Sequence, residues 1–114
     1  MHKISHKDFS FLASIIDSID KIEKYTGNFK NADEFYADNQ SFDASMMNFI
    51  IIGEMVEKLS EGFKMSTEDK INWHKIKSLR NIAAHNYFGI DAEEVWQIIN
   101  GSLKTLIDIE EIIN

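Results

Sequence analysis

Arg80, His85 and Tyr87 stand at intervals of five and two in the run Arg80-Asn81-Ile82-Ala83-Ala84-His85-Asn86-Tyr87. Arg80 is the only arginine, against eleven lysines, which marks position 80 as one where an ammonium does not serve. A guanidinium presents a planar fork of donors matched to phosphate or carboxylate oxygens. Histidine, with an unperturbed pKa of about 6.5, populates both protonation states near neutrality and suits general acid-base work. These groups together match the needs of RNA cleavage without a metal. A base takes the 2′-hydroxyl proton, an acid protonates the leaving 5′-oxygen, and a cation stabilises the phosphorane charge. The candidate catalytic residues are therefore Arg80, His85 and Asn81, with Asn81 positioning a histidine or a phosphate oxygen.

At about 100° per residue, Asn81 and His85 share a helix face, and Arg80 and Tyr87 nearly coincide. Arg80 and His85 lie about 140° apart. They converge within one chain only if the arginine reaches around or the helix distorts. A two-fold axis is the other solution, bringing two histidines and two arginines into one cleft. Ala83 and Ala84 leave room for backbone or ligand to approach.

The other chemically able residues carry less. His2 and His6 have a metal-compatible spacing but sit where a chain end frays, and no metal site is expected there or elsewhere. His74 is expected to face solvent among Lys75 and Lys77. Glu54 interrupts an apolar helix and needs a partner if buried, Arg80 or a lysine; a solvated edge position is the alternative. Trp73 and Trp96 read as packing anchors, and Met46, Met47, Met55 and Met65 as core or interface filling.

The formal net charge of −7 argues against a polyanionic partner until its distribution is considered. Between Lys70 and Ile90 there is no acidic residue, while Lys70, Lys75, Lys77 and Arg80 contribute +4, leaving −11 on the rest. Such segregation focuses an anionic ligand onto one surface. The 114 residues fit one domain, 1–114, long enough for a core and short enough to gain from dimerisation. The absence of cysteine excludes disulfides, a thiol nucleophile and thiolate metal sites. With no apolar leader and no stretch approaching the roughly 20 apolar residues of a bilayer span, a cytoplasmic protein without a membrane association is expected.

Periodicity predicts the helices that must hold the motif. The first runs from about Lys7 to Tyr25, with Phe11, Leu12, Ile15, Ile16, Ile19 and Ile22 as its stripe and Thr26-Gly27-Asn28 as its stop. A short one follows at Ala32 to Ala37, capped by Asn31 with Glu34 three residues on. A second long helix starts after Asp43 and reaches about Phe63, with Met47, Ile50, Ile51, Met55, Leu59 and Phe63 inward. Ile50, Ile51 and Ile52 make it apolar around much of its circumference, as a central or subunit-contact helix requires. The third follows Ser66 and Thr67 and buries Trp73, Ile76, Leu79 and Ala83 before Gly89. The last starts at Asp91, capped with Glu94, and uses Val95, Ile98, Ile99, Leu103, Leu106 and Ile109. Without proline or a strand-like alternation, the fold class is all-α, an up-and-down bundle of four to five helices.

The motif Arg, four residues, His, any residue, Tyr resembles that of the HEPN superfamily, and the wider sequence resembles its HepT-type toxins. Ile52-Gly53-Glu54, Trp73, Ile76, Asn81, Phe88-Gly89-Ile90-Asp91 and Val95-Trp96 extend the likeness over nearly the whole chain. Asn72 stands where many relatives have proline. The resemblance implies a HEPN-like helical homodimer whose paired motifs form a metal-independent endoribonuclease site, with no cofactor and with RNA, including tRNA, as substrate. It also implies a partner, a minimal nucleotidyltransferase antitoxin that transfers AMP from ATP onto the motif tyrosine, here Tyr87. The alternative is a non-catalytic helical module that binds a nucleotidyltransferase and presents or recognises its substrate. A generic dimeric scaffold would leave the lone arginine unexplained.

Overall fold

The computed structural model describes residues 4–89, 91–101 and 103, with the side chains of 86–89 outside the description. Among the described residues there are seven helices and no strand: α1 His6–Thr26, α2 Ala32–Ala37, α3 Asn39–Lys58, α4 Glu61–Thr67, α5 Trp73–Lys77, α6 Leu79–Gly89 and α7 Ala92–Asn100. The fold is an all-α helical bundle, as expected. No described helix is long and apolar enough to cross a membrane. Leu106 and Ile109 of the expected final stripe, and His2, lie outside the described residues.

The helix starts are set by short polar side chains that satisfy orphan amides. Ser5 accepts from the Asp8 amide at 3.1 Å, Asn31 from Glu34 at 2.9 Å, and Asp91 from Glu94 at 3.0 Å. The cap at Asn31 is reciprocated one residue early, Glu34 accepting from the Lys30 amide at 3.2 Å.

The core runs between α1 and α3 and continues under α5, α6 and α7. Leu12, Ile15 and Ile22 of α1 are fully buried, as are Ile52 of α3 and Val95 of α7. The two tryptophans anchor packing as their surroundings predict. The Trp73 indole donates to Thr67 Oγ1 at 2.8 Å and stands 6.0 Å from the Phe63 ring, and Trp96 lies 5.6 Å from Phe35.

The second long helix differs from expectation in three ways. It begins at Asn39, before Asp43, because the Asp38 carboxylate caps the Ser41 amide at 3.0 Å. It ends at Lys58 rather than Phe63, because Leu59 and Ser60 are extended, with ψ of 143° and 146°. Its inward face is also rotated: Phe42, Met46, Phe49, Ile52 and Val56 are buried, while Met47 is 57% exposed and Ile50, Ile51 and Met55 are half-buried. Small or self-satisfying residues explain the rotation. Gly53 is buried, and buried Asn48 donates back to the Ala44 carbonyl at 2.9 Å, so both are tolerated inside.

The break at Ser60 is held from α1. The Asp8 carboxylate, 4% exposed, accepts from the Ser60 amide at 2.9 Å and from its hydroxyl at 2.6 Å. The Ser60 hydroxyl oxygen accepts in turn from the Phe63 amide, starting α4. Burial works to raise the Asp8 carboxyl, but the Ser60 hydroxyl and amide, Ser5 and the Lys64 ammonium outweigh it, and the net shift is downward from 3.8. A carboxyl more acidic folded than unfolded contributes its full stability above 3.8 and loses it as pH falls through the lower folded value. Asp8→Asn is therefore expected to cost about 1–3 kcal/mol at neutral pH. Urea unfolding of parent and variant at descending pH should show that gap closing only below 3.8.

Candidate active site

The motif helix reaches its place through a near-continuous run, α5 into α6, with one irregular turn at Ser78. Its amide donates to the His74 carbonyl at 3.1 Å, and its carbonyl accepts from the Ile82 amide at 3.0 Å. The Ser78 hydroxyl donates to the Lys75 carbonyl at 2.5 Å, the kind of back-bond that perturbs a helix. The expected buried stripe holds: Trp73, Ile76, Leu79 and Ala83 are all 6% exposed or less. The distortion lies before Arg80, so it does not bring Arg80 round to His85.

Leu79 and Ala83 fix which way α6 faces. Opposite them, Arg80, Asn81, Ala84 and His85 are all exposed. On an ideal helix these four span an arc of about 140°, with Arg80 and His85 at its rims and Ala84 and Asn81 between. Ala84 thus leaves open space as expected, whereas Ala83 does not; at 1% exposure it belongs to the core, where a small side chain lets α6 settle. Tyr87 occupies the next turn of the same helix, its side chain outside the description.

Gly53 is a point of close approach between α3 and the segment α5 to α6. A Cβ there would sit 2.6 Å from Arg80 Cβ and 3.2 Å from both the Arg80 amide nitrogen and the Lys77 carbonyl oxygen. None of these is the yielding end of a long side chain. Gly53→Ala gains helix propensity of about 1 kcal/mol, but overpacking against fixed atoms costs about 1–3 kcal/mol. A net loss of stability is expected in urea titration, and Arg80 must move with its backbone.

Beside this crossing, two carboxylates on α3 meet two cations from the motif segment. Glu54 Oε1 lies 3.0 Å from Arg80 Nε, and Glu57 Oε2 lies 2.8 Å from Lys77 Nζ. Glu54 is thus both partnered and 40% exposed, combining the two readings open from sequence. Such exposed pairs contribute about 0–1 kcal/mol, so their role is orientation rather than stability. Contact through Nε leaves the terminal guanidinium nitrogens for another anion. The Lys77 hydrogen bond and charge hold the Glu57 carboxyl below its ordinary range.

A groove of about 340 Å³, floored at Gly53, is lined by Glu57, His74, Lys77, Ser78, Arg80 and Asn81. Arg80 and Asn81 meet there; His85 does not line it. His74 was expected in solvent and is exposed, yet it belongs to this groove. Its spacing of six before Arg80 and its place among lysines were the available signals.

This face, where paired cations and carboxylates of a helical bundle meet, is matched by sequence relationships. The "Ribonuclease HepT-like" family model matches residues 15–113. The chain belongs to the HepT-like ribonuclease family. A provisionally named RNase of Methanocaldococcus jannaschii is 34% identical over 91% of this chain and 85% of its own length. A Thermococcus cleftensis protein named "Probable ribonuclease HepT" is 30% identical over 91% of each. A second M. jannaschii protein, named as a gamma-glutamylcyclotransferase and RNase, is 30% identical over 84% of this chain, which spans 42% of it. No solved structure matches the chain significantly.

Proposed function

We propose that the chain is a metal-independent endoribonuclease toxin, cutting RNA such as tRNA in the cytoplasm and neutralised by a nucleotidyltransferase antitoxin. The observation that carries this reading is the complete motif of Arg80, His85 and Tyr87 on one helix in a member of a ribonuclease family, with Arg80, Asn81 and His85 all exposed. His85 as base takes the proton of the 2′-hydroxyl, whose oxygen attacks phosphorus. The 5′-oxygen leaves with a proton from a second histidine, giving a 2′,3′-cyclic phosphate and a 5′-hydroxyl. Arg80 stabilises the phosphorane through its terminal nitrogens, and Asn81 positions a phosphate oxygen.

One chain supplies one His85, and it stands away from the groove that holds Arg80. A homodimer completes the site, each subunit offering its His85 to the other's groove at Arg80. The stripe of Met47, Ile50 and Ile51 on α3 supports this, because it leaves apolar surface on the helix that carries Glu54. The test is cleavage of purified total tRNA in excess EDTA. Cleavage by the parent protein supports the reading. An unmodified protein that never cleaves RNA would instead favour the non-catalytic module that binds a nucleotidyltransferase and presents its substrate.

Regulation follows from Tyr87, two residues from His85. Its phenol oxygen attacks the α-phosphorus of ATP on the antitoxin, releasing pyrophosphate and leaving a bulky anion beside the cleft. Tyr87→Phe is expected to keep cleavage within about threefold, as a change outside the acid-base pair, while escaping inactivation. Intact-mass spectrometry after incubation with the partner and ATP checks this. AMP on the Phe variant at the parent level would exclude Tyr87 as acceptor.

A further inference from the structure

A second groove of about 450 Å³ adjoins the one holding Arg80, and His74 and Lys77 line both. Its chemistry differs. Val56, Ile71 and Trp73, each 6% exposed or less, line it with apolar residues, and Met65 lines it while 67% exposed. Glu68 also lines this groove. Lys64 is engaged already, 3.1 Å from Glu61 and donating to the Val56 carbonyl at 3.4 Å. Asn72 caps α5 through its carbonyl oxygen, which accepts from the Lys75 amide at 3.0 Å. Asn72 lines the groove, and its amide nitrogen takes no part in that bond.

We propose that this groove is a base subsite, receiving one of the two nucleobases beside the scissile phosphate while that phosphate lies at Arg80 and Lys77. The inference rests on the ribonuclease reading of the motif face. A nucleobase is planar and uncharged, with apolar faces and a polar edge. It suits an apolar floor, a polarisable methionine and a single amide donor. A phosphate gains little there, since Glu61 and Glu68 offset Lys64, and so it is directed to the neighbouring groove, which contains Arg80. Both grooves have the volume of small-molecule sites, about 300–1,000 Å³. The shared His74 and Lys77 form the wall across which base and phosphate of one nucleotide are divided. Met65 and Asn72 then become specificity-determining residues that touch no reacting atom.

The experiment uses a five-nucleotide single-stranded RNA cleaved at one step, and two versions in which one or the other base beside that step is removed. Met65→Glu places a carboxylate in the groove at an exposed position, away from the motif. It is expected to raise KM for the base-complete RNA by about fivefold or more, with kcat within about twofold. For the RNA lacking the base that occupies the groove, parent and variant should have the same KM. Equal KM for parent and variant on the base-complete RNA would overturn the subsite, as would an equal loss on all three RNAs. So would a variant that cleaves normally but no longer binds the nucleotidyltransferase, which would make the groove a protein-docking surface. A parent that cleaves none of the three RNAs overturns the ribonuclease reading itself, and is distinguishable from these because the parent is silent.

Discussion

His85→Ala is expected to lower RNA cleavage by about 10²–10⁴-fold, the usual contribution of a positioned general acid or base. In a homodimer one substitution removes both histidines, so the loss should fall toward the upper end. His85 is exposed, and exposed substitutions typically change stability by about 0.5 kcal/mol or less. Circular dichroism and urea unfolding should therefore match the parent while cleavage and growth arrest both vanish. Full activity in the variant would remove His85 from the chemistry and leave the groove at Arg80 without its acid and base.

The second large effect concerns a change that keeps the charge. Arg80→Lys is expected to lower kcat by about 10²–10³-fold, the scale of losing one transition-state donor. RNA affinity should change far less. Arg80 meets Glu54 through Nε at 3.0 Å, which leaves its terminal nitrogens for phosphate. A lysine carries a single ammonium at the end of a flexible stem. It can answer Glu54 or the phosphorane, but not both from fixed positions. Single-turnover kinetics separate the two quantities. A Lys variant with parental kcat would mean that position 80 supplies only charge.

Much of this arrangement was legible in the sequence because it depends on period and on local polar signals. The stripe at Trp73, Ile76, Leu79 and Ala83, the cap at Asp91 and the short helix behind Asn31 depend on neighbours a few residues away, and all three were predictable. The start of α3 at Asn39 also has a local signal in the Asp38 cap, but its end and its buried face depend on distant residues. Ser60 ahead of Glu61 is a local cap signal, but the partner that secures the break, Asp8, is 52 residues away. The apolar run at 50–52 leaves the buried face of α3 ambiguous, and only the approach of α6 onto Gly53 decides it. The same holds for the site. The motif residues were evident from spacing, whereas the pairing of Glu57 with Lys77 and the place of His74 arise from how α5 lies across α3.

The two carboxylates on α3 have a consequence for selectivity among cellular polyanions. A protein of net charge −7 whose Lys77 and Arg80 already face acidic neighbours exerts little long-range pull on a passing nucleic acid. Encounters with bulk RNA and DNA are then brief, and capture depends on a strand shaped to reach the guanidinium. Discrimination is thereby shifted from attraction to fit, which keeps the surface from being occupied by abundant nucleic acid that presents no strand to the guanidinium.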